Sequence, residues 1–380
     1  MTARRTLTAR VQYEVARRLA AMPTSWQLRL AGREPVIRDG LTLDPSLQVL
    51  LEMRRRRGIT PLPGLSPAAA RRRARRESAA AAGPPVPVAA VRDLTIDGAD
   101  GPLPARHYAP AQDGADRQYA PDEGGDRPLL VFYHGGGFVL GDLETHDQAC
   151  RMLCRHAGVH VLSVDYRLAP EHPFPAAVED AWAALRWAFA HARELGANPA
   201  SVAVGGDSAG GNLAAVVSQI AAAEGGPAPV LQLLLYPALD RSTPYPSLDL
   251  FADSFFLTRD EIDWFEQHYS GGAERVDPRL SPMRRDGLGR LAPAFVVTAG
   301  FDPLRDEGEA YAATMADAGT AVRLRRESGM IHGFINMVDL SRTARAVLVE
   351  IAEELREMLD CFSPAPDPEE SAARTGKDGL

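Results

Sequence analysis

Short apolar runs alternate with longer helix-forming stretches along most of this chain. Six runs read as buried strands, at 128–133, 159–164, 201–204, 230–236, 294–300 and 321–326. The stretches with helical spacing fall at 145–156, 176–194, 209–223, 258–268, 304–318 and 341–359. Continuous apolar strands separated by helices are typical of a mostly parallel sheet covered on both faces. The pattern predicts an α/β fold in which ligands bind at the carboxyl ends of the strands.

The composition divides the chain into three parts. Residues 1–86 contain helical stretches and a proline-rich segment that reads as a linker, and residues 87–361 hold the alternating pattern. The remaining residues, 362–380, are polar, and we expect them to be a disordered tail. A polar stretch at 109–128 is predicted to be a loop between strands. The sequence indicates no chemistry for that loop or for residues 1–41.

Positive charge is concentrated at the beginning of the chain. Residues 1–80 carry 17 arginines and six acidic residues, whereas the whole chain of 380 residues has a net charge of −8. The arginine runs "MRRRRG" and "ARRRARRES" lack interleaved aromatic residues, and the rest of the chain is acidic. This pattern favours a solvated helix face over a nucleic-acid site. We therefore expect no nucleic-acid partner, and we expect these arginines to face solvent.

Cysteine usage and hydropathy indicate a cytoplasmic location. The three cysteines give no disulfide framework and no zinc pattern. No stretch reaches about 18 uninterrupted apolar residues, so no transmembrane segment is predicted. The N-terminal stretch lacks the compact apolar core of a signal peptide. The residues therefore predict a soluble protein without a bound metal.

The stretch "VAVGGDSAGGNLAAVV" places one serine at a sharp bend between a strand and a helix. Gly206-Asp207-Ser208-Ala209-Gly210 matches G-x-S-x-G in the strand–turn–helix context in which that motif presents a nucleophile. The same letters also suit an ordinary glycine-rich turn. Ser208 is therefore a candidate nucleophile if a base and an orienting acid lie nearby. Asp207 is expected to be structural, because its side chain should point away from the serine.

Two later loops supply a candidate base and acid. Asp302 directly follows the run that ends at residue 300, and His332 follows the last run. A serine hydroxyl needs a base, and the base needs an orienting carboxylate. The order Ser, Asp, His is the order expected for this fold. We take Asp306 and Glu307 to be acids at the start of the next helix, where they meet the helix dipole.

Backbone amides for an oxyanion are predicted in the loop that directly follows the apolar run 128–133. The sequence there reads His134-Gly135-Gly136-Gly137-Phe138. Gly136, Gly137 and Ala209 are the favoured donors, and Gly135 remains an alternative. A phosphate cradle is the rival interpretation, but neither G-x-G-x-x-G nor a P-loop lysine is present. His134 is expected to brace the loop.

These motifs resemble the hormone-sensitive-lipase-like branch of the α/β-hydrolases. The matching stretches are "HGGGF" (134–138), "VDYRLAPEHPFPAA" (164–177), "GGDSAGGN" (205–212), "DPLRDEGEAY" (302–311) and "HGF" (332–334). The resemblance implies an α/β-hydrolase fold and a serine carboxylesterase that acts on short- to medium-chain acyl esters without a cofactor. It also implies a helical cap built from the N-terminal segment and from residues 241–275.

Other activities remain open at this point. The same groups would serve an amidase or N-deacetylase, and a non-catalytic small-molecule receptor on the same fold is a third possibility. The expected partner is a small-molecule ester, and the chain is expected to be a monomer or homodimer. Because residues 1–80 precede all the candidate groups, we expect them to form part of the cap and to shape the acyl pocket.

Overall fold

The computed structural model describes residues 15, 17–19, 22–32, 34–111 and 127–363. Most of the predicted loop 109–128 and residues 364–380 of the predicted tail lie outside this described part. Within the described residues, no helix combines the length and apolar character needed to cross a bilayer.

An eight-stranded sheet forms the centre of the fold. A separate hairpin pairs β1 (Ile37–Arg38) with β2 (Leu41–Thr42). The strands of the large sheet are β3 (Ala90–Gly98), β4 (Gly101–Ala109), β5 (Leu129–Tyr133), β6 (His160–Val164), β7 (Val202–Asp207), β8 (Gln232–Leu235), β9 (Ala294–Phe301) and β10 (Val322–Ile331). Their spatial order is β10-β9-β8-β7-β5-β6-β4-β3. Within this eight-stranded sheet, only the pairs β3–β4 and β4–β6 are antiparallel, so the predicted mostly parallel sheet is confirmed.

The register of the parallel strands brings their carboxyl ends to one edge. Tyr133 at the end of β5 pairs with Gly206 near the end of β7. Beyond β7, Leu235 pairs with Val297 in β9, and the last residues of β9 and β10 pair with each other. The loops that follow β5, β7, β9 and β10 therefore converge, and these loops carry the candidate groups.

Helices cover both faces of the sheet. Their bounds are α1 (Thr24–Leu30), α2 (Pro45–Arg56), α3 (Pro67–Ala81), α4 (Asp147–Ala157), α5 (Ala176–His191), α6 (Ala209–Glu224), α7 (Pro246–Leu250), α8 (Arg259–Tyr269), α9 (Arg305–Asp317) and α10 (Arg342–Phe362). Alternate residues of β5 enter different cores: Leu129 and Val131 pack with α5, α6 and α9, whereas Leu130 packs with α4 and α10. Successive side chains of a strand point to opposite faces of the sheet, and both faces are covered here. Every position of the strand is therefore buried, which explains why the strands read as continuous apolar runs.

Local sequence signals mark the start of two of the helices that line the carboxyl edge of the sheet, α2 and α8. The Asp44 side chain accepts hydrogen bonds from the Ser46 and Leu47 amides and caps α2. Thr258 and Glu261 form a reciprocal capping box at the start of α8. Both helices contribute side chains to the cavity described below.

Candidate active site

Ser208 lies at a strained turn between β7 and α6. Its φ of 56° and ψ of −115° place a non-glycine residue in a region that L-residues rarely adopt. A Cβ at Gly206 would overlap the backbone of Gly210, and a Cβ at Gly210 would overlap the Tyr133 carbonyl. The two glycines of the motif are therefore required for the backbone to pass so close to β5, and the turn leaves the Ser208 hydroxyl at the carboxyl edge.

Three of the predicted side chains form one continuous hydrogen-bonded chain. His332 Nε2 lies 2.9 Å from Ser208 Oγ, and His332 Nδ1 lies 2.7 Å from Asp302 Oδ2. Asp302 is fully buried, and its other oxygen accepts a hydrogen bond from the Leu304 amide. The Leu304 amide thus fixes the orientation of the carboxylate, and the second oxygen of Asp302 faces the imidazole. A base oriented in this way can remove the serine proton.

Asp306 and Glu307 lie in the first turn of α9, as the sequence predicts. Neither side chain is hydrogen-bonded to His332. Asp306 Oδ2 accepts from the Ser247 amide at 2.8 Å, and Glu307 Oε1 accepts from the Leu239 amide at 2.6 Å. The two acids therefore tie the segment after β8 to α9, which is a structural task that the sequence pattern did not reveal.

Glu307 gives the folded protein a pH-dependent stability. Burial raises the pKa of Glu307 to about 8, although the Leu239 and Asp240 amides oppose that shift. Because the folded state holds this proton above the ordinary pKa of 4.5, unfolding releases it, and stability falls as the pH rises from about 4.5 to about 8. The slope from this one group is at most about 1.4 kcal/mol per pH unit.

Glutamine at position 307 keeps an oxygen for the Leu239 amide but cannot ionise. We expect Glu307→Gln to flatten the decrease in unfolding free energy between pH 5 and pH 8, measured by urea titration at several pH values. Glu194→Gln, which removes an exposed carboxylate, is the control and should follow the unchanged protein. Parallel curves for the Glu307→Gln variant and the unchanged protein would contradict this assignment.

The glycine loop after β5 separates its amides into two groups. The Gly135 amide donates to Asp207 Oδ1 at 2.8 Å and is therefore occupied. The amides of Gly136, Gly137 and Ala209 donate to no other described residue, and these residues line the same cavity as Ser208. Gly136 and Gly137 have φ values of 118° and 61°, and a Cβ on Gly137 would overlap the Phe265 ring. This division favours the donors preferred from the sequence over Gly135.

A buried network that the sequence did not reveal fixes the base of this loop. Asp207, beside the nucleophile, faces His146 Nε2 at 3.2 Å and accepts from the Gly135 amide. Burial alone would raise the pKa of Asp207, but His146 and the Gly135 amide outweigh it and hold that pKa below its ordinary value. The carboxylate stays ionised and holds the start of the glycine loop against β7, which agrees with the structural role expected for it.

His134 braces the same loop, as expected. Its Nδ1 lies 2.8 Å from the Gly135 carbonyl oxygen, and its ring stacks on Tyr166 with 4.3 Å between centroids. The Tyr166 hydroxyl donates to the His134 carbonyl at 2.7 Å. Burial lowers the pKa of His134 to about 4, so the ring is neutral at pH 7. The segment "VDYRLAPEHPFP" therefore anchors the loop from behind.

The expectation that the arginine runs face solvent is wrong for Arg54, Arg71 and Arg73, whose side chains are half-buried. Arg72 is exposed, but Arg71 donates from Nε to the Val139 carbonyl at 2.7 Å and from Nη2 to the Ala169 carbonyl at 2.5 Å. Arg71 also pairs with Glu171. Val139 belongs to the turn that continues the glycine loop, so Arg71 joins α3 to that loop.

We expect Arg71→Gln to lower kcat/KM for a neutral ester roughly 10-fold, because hydrogen bonds to charged groups contribute about 1.5–3 kcal/mol each. The comparison is with Arg72→Gln, which should change kcat/KM less than about twofold. Steady-state kinetics on one p-nitrophenyl ester checks both variants. If the two variants behaved alike, Arg71 would have no role in holding the loop.

A cavity of about 630 Å³ opens above Ser208. Its walls include the candidate donors and His332, together with apolar side chains from α2, α8 and the segments beside them. These apolar residues are Leu50, Met53, Ile59, Leu62, Phe256, Ile262 and Phe265. Among the described residues, none before Leu50 lines the cavity. The part of the N-terminal segment that lines the pocket in the described structure is therefore residues 50–81.

Among the described residues, no cluster of three or more His, Cys, Asp or Glu side chains is arranged to hold a metal ion. Cys150 and Cys154 are buried on one face of α4, and Cys361 is exposed near the end of α10.

Comparison with known proteins identifies the family. The family described as alpha/beta hydrolase fold matches residues 130–336. The carboxylic ester hydrolase LipN of Mycobacterium tuberculosis is 49% identical, with 88% of this chain and 88% of that protein covered. The ethyl acetate hydrolase of Pseudomonas putida is 39% identical, with 71% of this chain and 83% of that protein covered.

Solved structures give the same result. An ester hydrolase from the metagenome of Lake Arreo, solved with a bipyridine phosphonate derivative, superposes with a TM-score of 0.77 at 38% identity. That alignment covers 85% of this chain and 100% of the other. An esterase from Pyrobaculum calidifontis superposes with a TM-score of 0.76 at 38% identity, with 83% of this chain and 98% of the other covered. The chain therefore belongs to the α/β-hydrolase fold family.

Proposed function

We propose that this protein is a serine carboxylesterase that hydrolyses short- to medium-chain acyl esters through an acyl-enzyme. The observation that carries the proposal is the continuous chain from Asp302 through His332 to Ser208 at the carboxyl edge of the sheet. The relatives named as a carboxylic ester hydrolase and an ethyl acetate hydrolase support the same reaction class.

The first half of the reaction forms the acyl-enzyme. Ser208 Oγ attacks the ester carbonyl while His332 Nε2 accepts its proton, and Asp302 stabilises the imidazolium that results. The amides of Gly136, Gly137 and Ala209 receive the oxyanion of the tetrahedral intermediate. His332 then gives the proton to the leaving alcohol, and the carbon–oxygen bond to the alcohol breaks.

Water completes the cycle by the same steps. His332 removes a proton from the water, the resulting hydroxide attacks the acyl carbonyl, and the proton returns to Ser208 as the acid leaves. Every proton and charge in this sequence is carried by the side chains and backbone amides named above. The proposed reaction therefore needs no cofactor or metal, and activity should survive dialysis against EDTA.

The helices around the cavity form the proposed cap. Residues of α2, α3 and α8 line the space above Ser208, and α8 lies within the segment 241–275. Their apolar side chains offer a surface for an acyl chain. A cavity of about 630 Å³ suits a substrate of small to moderate size.

Hydrolysis of p-nitrophenyl esters from acetate to dodecanoate tests the proposal, with p-nitroanilides of the same acids measured beside them. We expect kcat/KM to be largest for short to medium acyl chains and far larger for esters than for anilides. The Ser218→Ala variant removes a serine that is buried in α6 without a described hydrogen-bond partner, and it should give the same substrate profile as the unchanged protein. Anilide rates equal to ester rates would instead favour an amidase.

A further inference from the structure

Arg241 follows β8 and lies in the wall of the catalytic cavity. Its guanidinium carbon lies 5.6 Å from the centroid of the Phe138 ring and 5.9 Å from that of Tyr269. These two rings stack on each other with 3.8 Å between centroids. Phe138 directly follows the three glycines of the glycine loop, so the aromatic pair holds the guanidinium beside that loop.

The side chain of Arg241 has donors without acceptors. Its Nε atom is buried and has no hydrogen-bond partner, and the guanidinium forms no ion pair within the described part of the chain. Among the described residues, the hydrogen bond that Arg241 does form comes from its backbone amide, which donates to Ser281 Oγ at 2.9 Å. A buried cationic donor without a partner is costly, and such groups are generally satisfied by a counter-charge.

Two acids that line the same cavity as Arg241, Asp240 and Glu307, are hydrogen-bonded to other groups. Asp240 pairs with Arg284 at 2.6 Å and also accepts from Ser242 and Tyr245. Glu307 accepts from the Leu239 amide, and burial raises its pKa to about 8, although the charge of Arg241 opposes that shift. The charge of Arg241 is therefore not compensated by a direct contact with either neighbour.

Arg241 differs in this respect from the other arginines of the cavity wall. Arg57 and Arg76 are exposed to solvent, where water satisfies their donors. The remaining arginines are ion-paired: Arg54 and Arg73 with Glu77, Arg275 with Glu266, and Arg259 with Asp249. Among these described arginines, Arg241 is the one that has a buried donor atom and no carboxylate partner.

We infer that Arg241 binds a carboxylate of the substrate, and that the preferred substrates are esters carrying a carboxylate besides the ester group that is cleaved. A guanidinium presents parallel N–H donors that match the two oxygens of a carboxylate. The rings of Phe138 and Tyr269 lie beside the guanidinium and limit its freedom before substrate binds, which lowers the entropy cost of that contact. This inference rests on the proposed esterase function and narrows its substrate class.

Two matched substrate pairs distinguish the two parts of an ester that could carry the carboxylate. Mono-4-nitrophenyl adipate and 4-nitrophenyl hexanoate differ by a carboxylate on the acyl part. The pair 4-(carboxymethyl)phenyl butanoate and 4-ethylphenyl butanoate differ by a carboxylate on the alcohol part. The measured quantity is the ratio of kcat/KM for the charged ester to that for its neutral partner, after subtraction of spontaneous hydrolysis.

In one of the two pairs, we expect the unchanged protein to prefer the charged ester and Arg241→Met to lower the ratio roughly 10- to 100-fold. Arg241→Lys should retain part of the preference, because the charge remains and the paired donors are lost. Arg259→Met removes an equal charge from the cavity wall at a residue paired with Asp249, and it should change the ratio far less.

The neutral esters separate this inference from the proposed function. If the unchanged protein cleaved the neutral esters without preferring either charged one, Arg241 would not bind a substrate carboxylate, while the esterase function would stand. A ratio unaltered by Arg241→Met, even with lower rates on both esters, would assign Arg241 a structural role only. Failure to cleave any of the four esters would overturn the proposed function and this inference together.

Discussion

Replacing Ser208 with alanine is expected to lower kcat/KM for a p-nitrophenyl ester by roughly 10⁴-fold or more, as for other triad nucleophiles. The hydroxyl lies 2.9 Å from His332 Nε2, and no acyl-enzyme can form without it. Alanine at this position keeps the small side chain and leaves Gly206 and Gly210 in place, so the turn should persist. Steady-state kinetics and circular dichroism on the purified variant check both parts.

Ser218→Ala provides the matched comparison, because Ser218 lies on α6, the helix that begins directly after Ser208, and away from the cavity. It should retain nearly the full rate of the unchanged protein. A Ser208→Ala variant with a rate near that of Ser218→Ala would mean that another group is the nucleophile.

Replacing Asp302 with asparagine should also cost about 10⁴-fold in kcat, as in the serine-protease precedent. Asp302 Oδ2 lies 2.7 Å from His332 Nδ1, and an amide nitrogen placed there stabilises the tautomer that cannot accept the serine proton. The loss should appear mainly in kcat, because the cavity walls that bind the ester are unchanged.

Asp306→Asn tests whether the choice of acid is correct. Asp306 accepts from the Ser247 amide, and the asparagine side chain has an oxygen that can accept the same hydrogen bond. We expect this variant to lose less than about 10-fold, the scale of one ordinary hydrogen bond. If Asp306→Asn were the crippling change and Asp302→Asn the mild one, the assignment of the acid would be reversed.

The sequence predicts the sheet and the position of the candidate triad for one physical reason. Buried parallel strands read as apolar runs, and their carboxyl ends must meet at one edge, so short motifs directly after β7, β9 and β10 converge. The chain therefore brings Ser208, Asp302 and His332 together, although 124 residues separate the first from the last.

Contacts between distant segments are the part that the sequence does not reveal. His146 meets Asp207 across 61 positions, and no local periodicity marks that pair. Arg71 lies in an arginine-rich stretch without aromatic residues, which reads as solvated, and Ala70 is the one residue of α3 that is fully buried. Its bonds to Val139 and Ala169 depend on how α3 packs against the loop after β5. Such packing is a tertiary property that residue spacing alone cannot predict.

Covalent labelling of the intact protein tests the central claim most directly. A p-nitrophenyl alkylphosphonate releases p-nitrophenol when a serine attacks phosphorus, and the phosphonyl adduct remains on the nucleophile. We predict one phosphonyl group per chain, mapped by peptide mass spectrometry to Ser208, with activity lost in proportion to labelling. The Asp302→Asn variant should label far more slowly, and Ser208→Ala should not label. A stoichiometric adduct on any other residue, or complete labelling of Ser208 with full activity retained, would contradict the account.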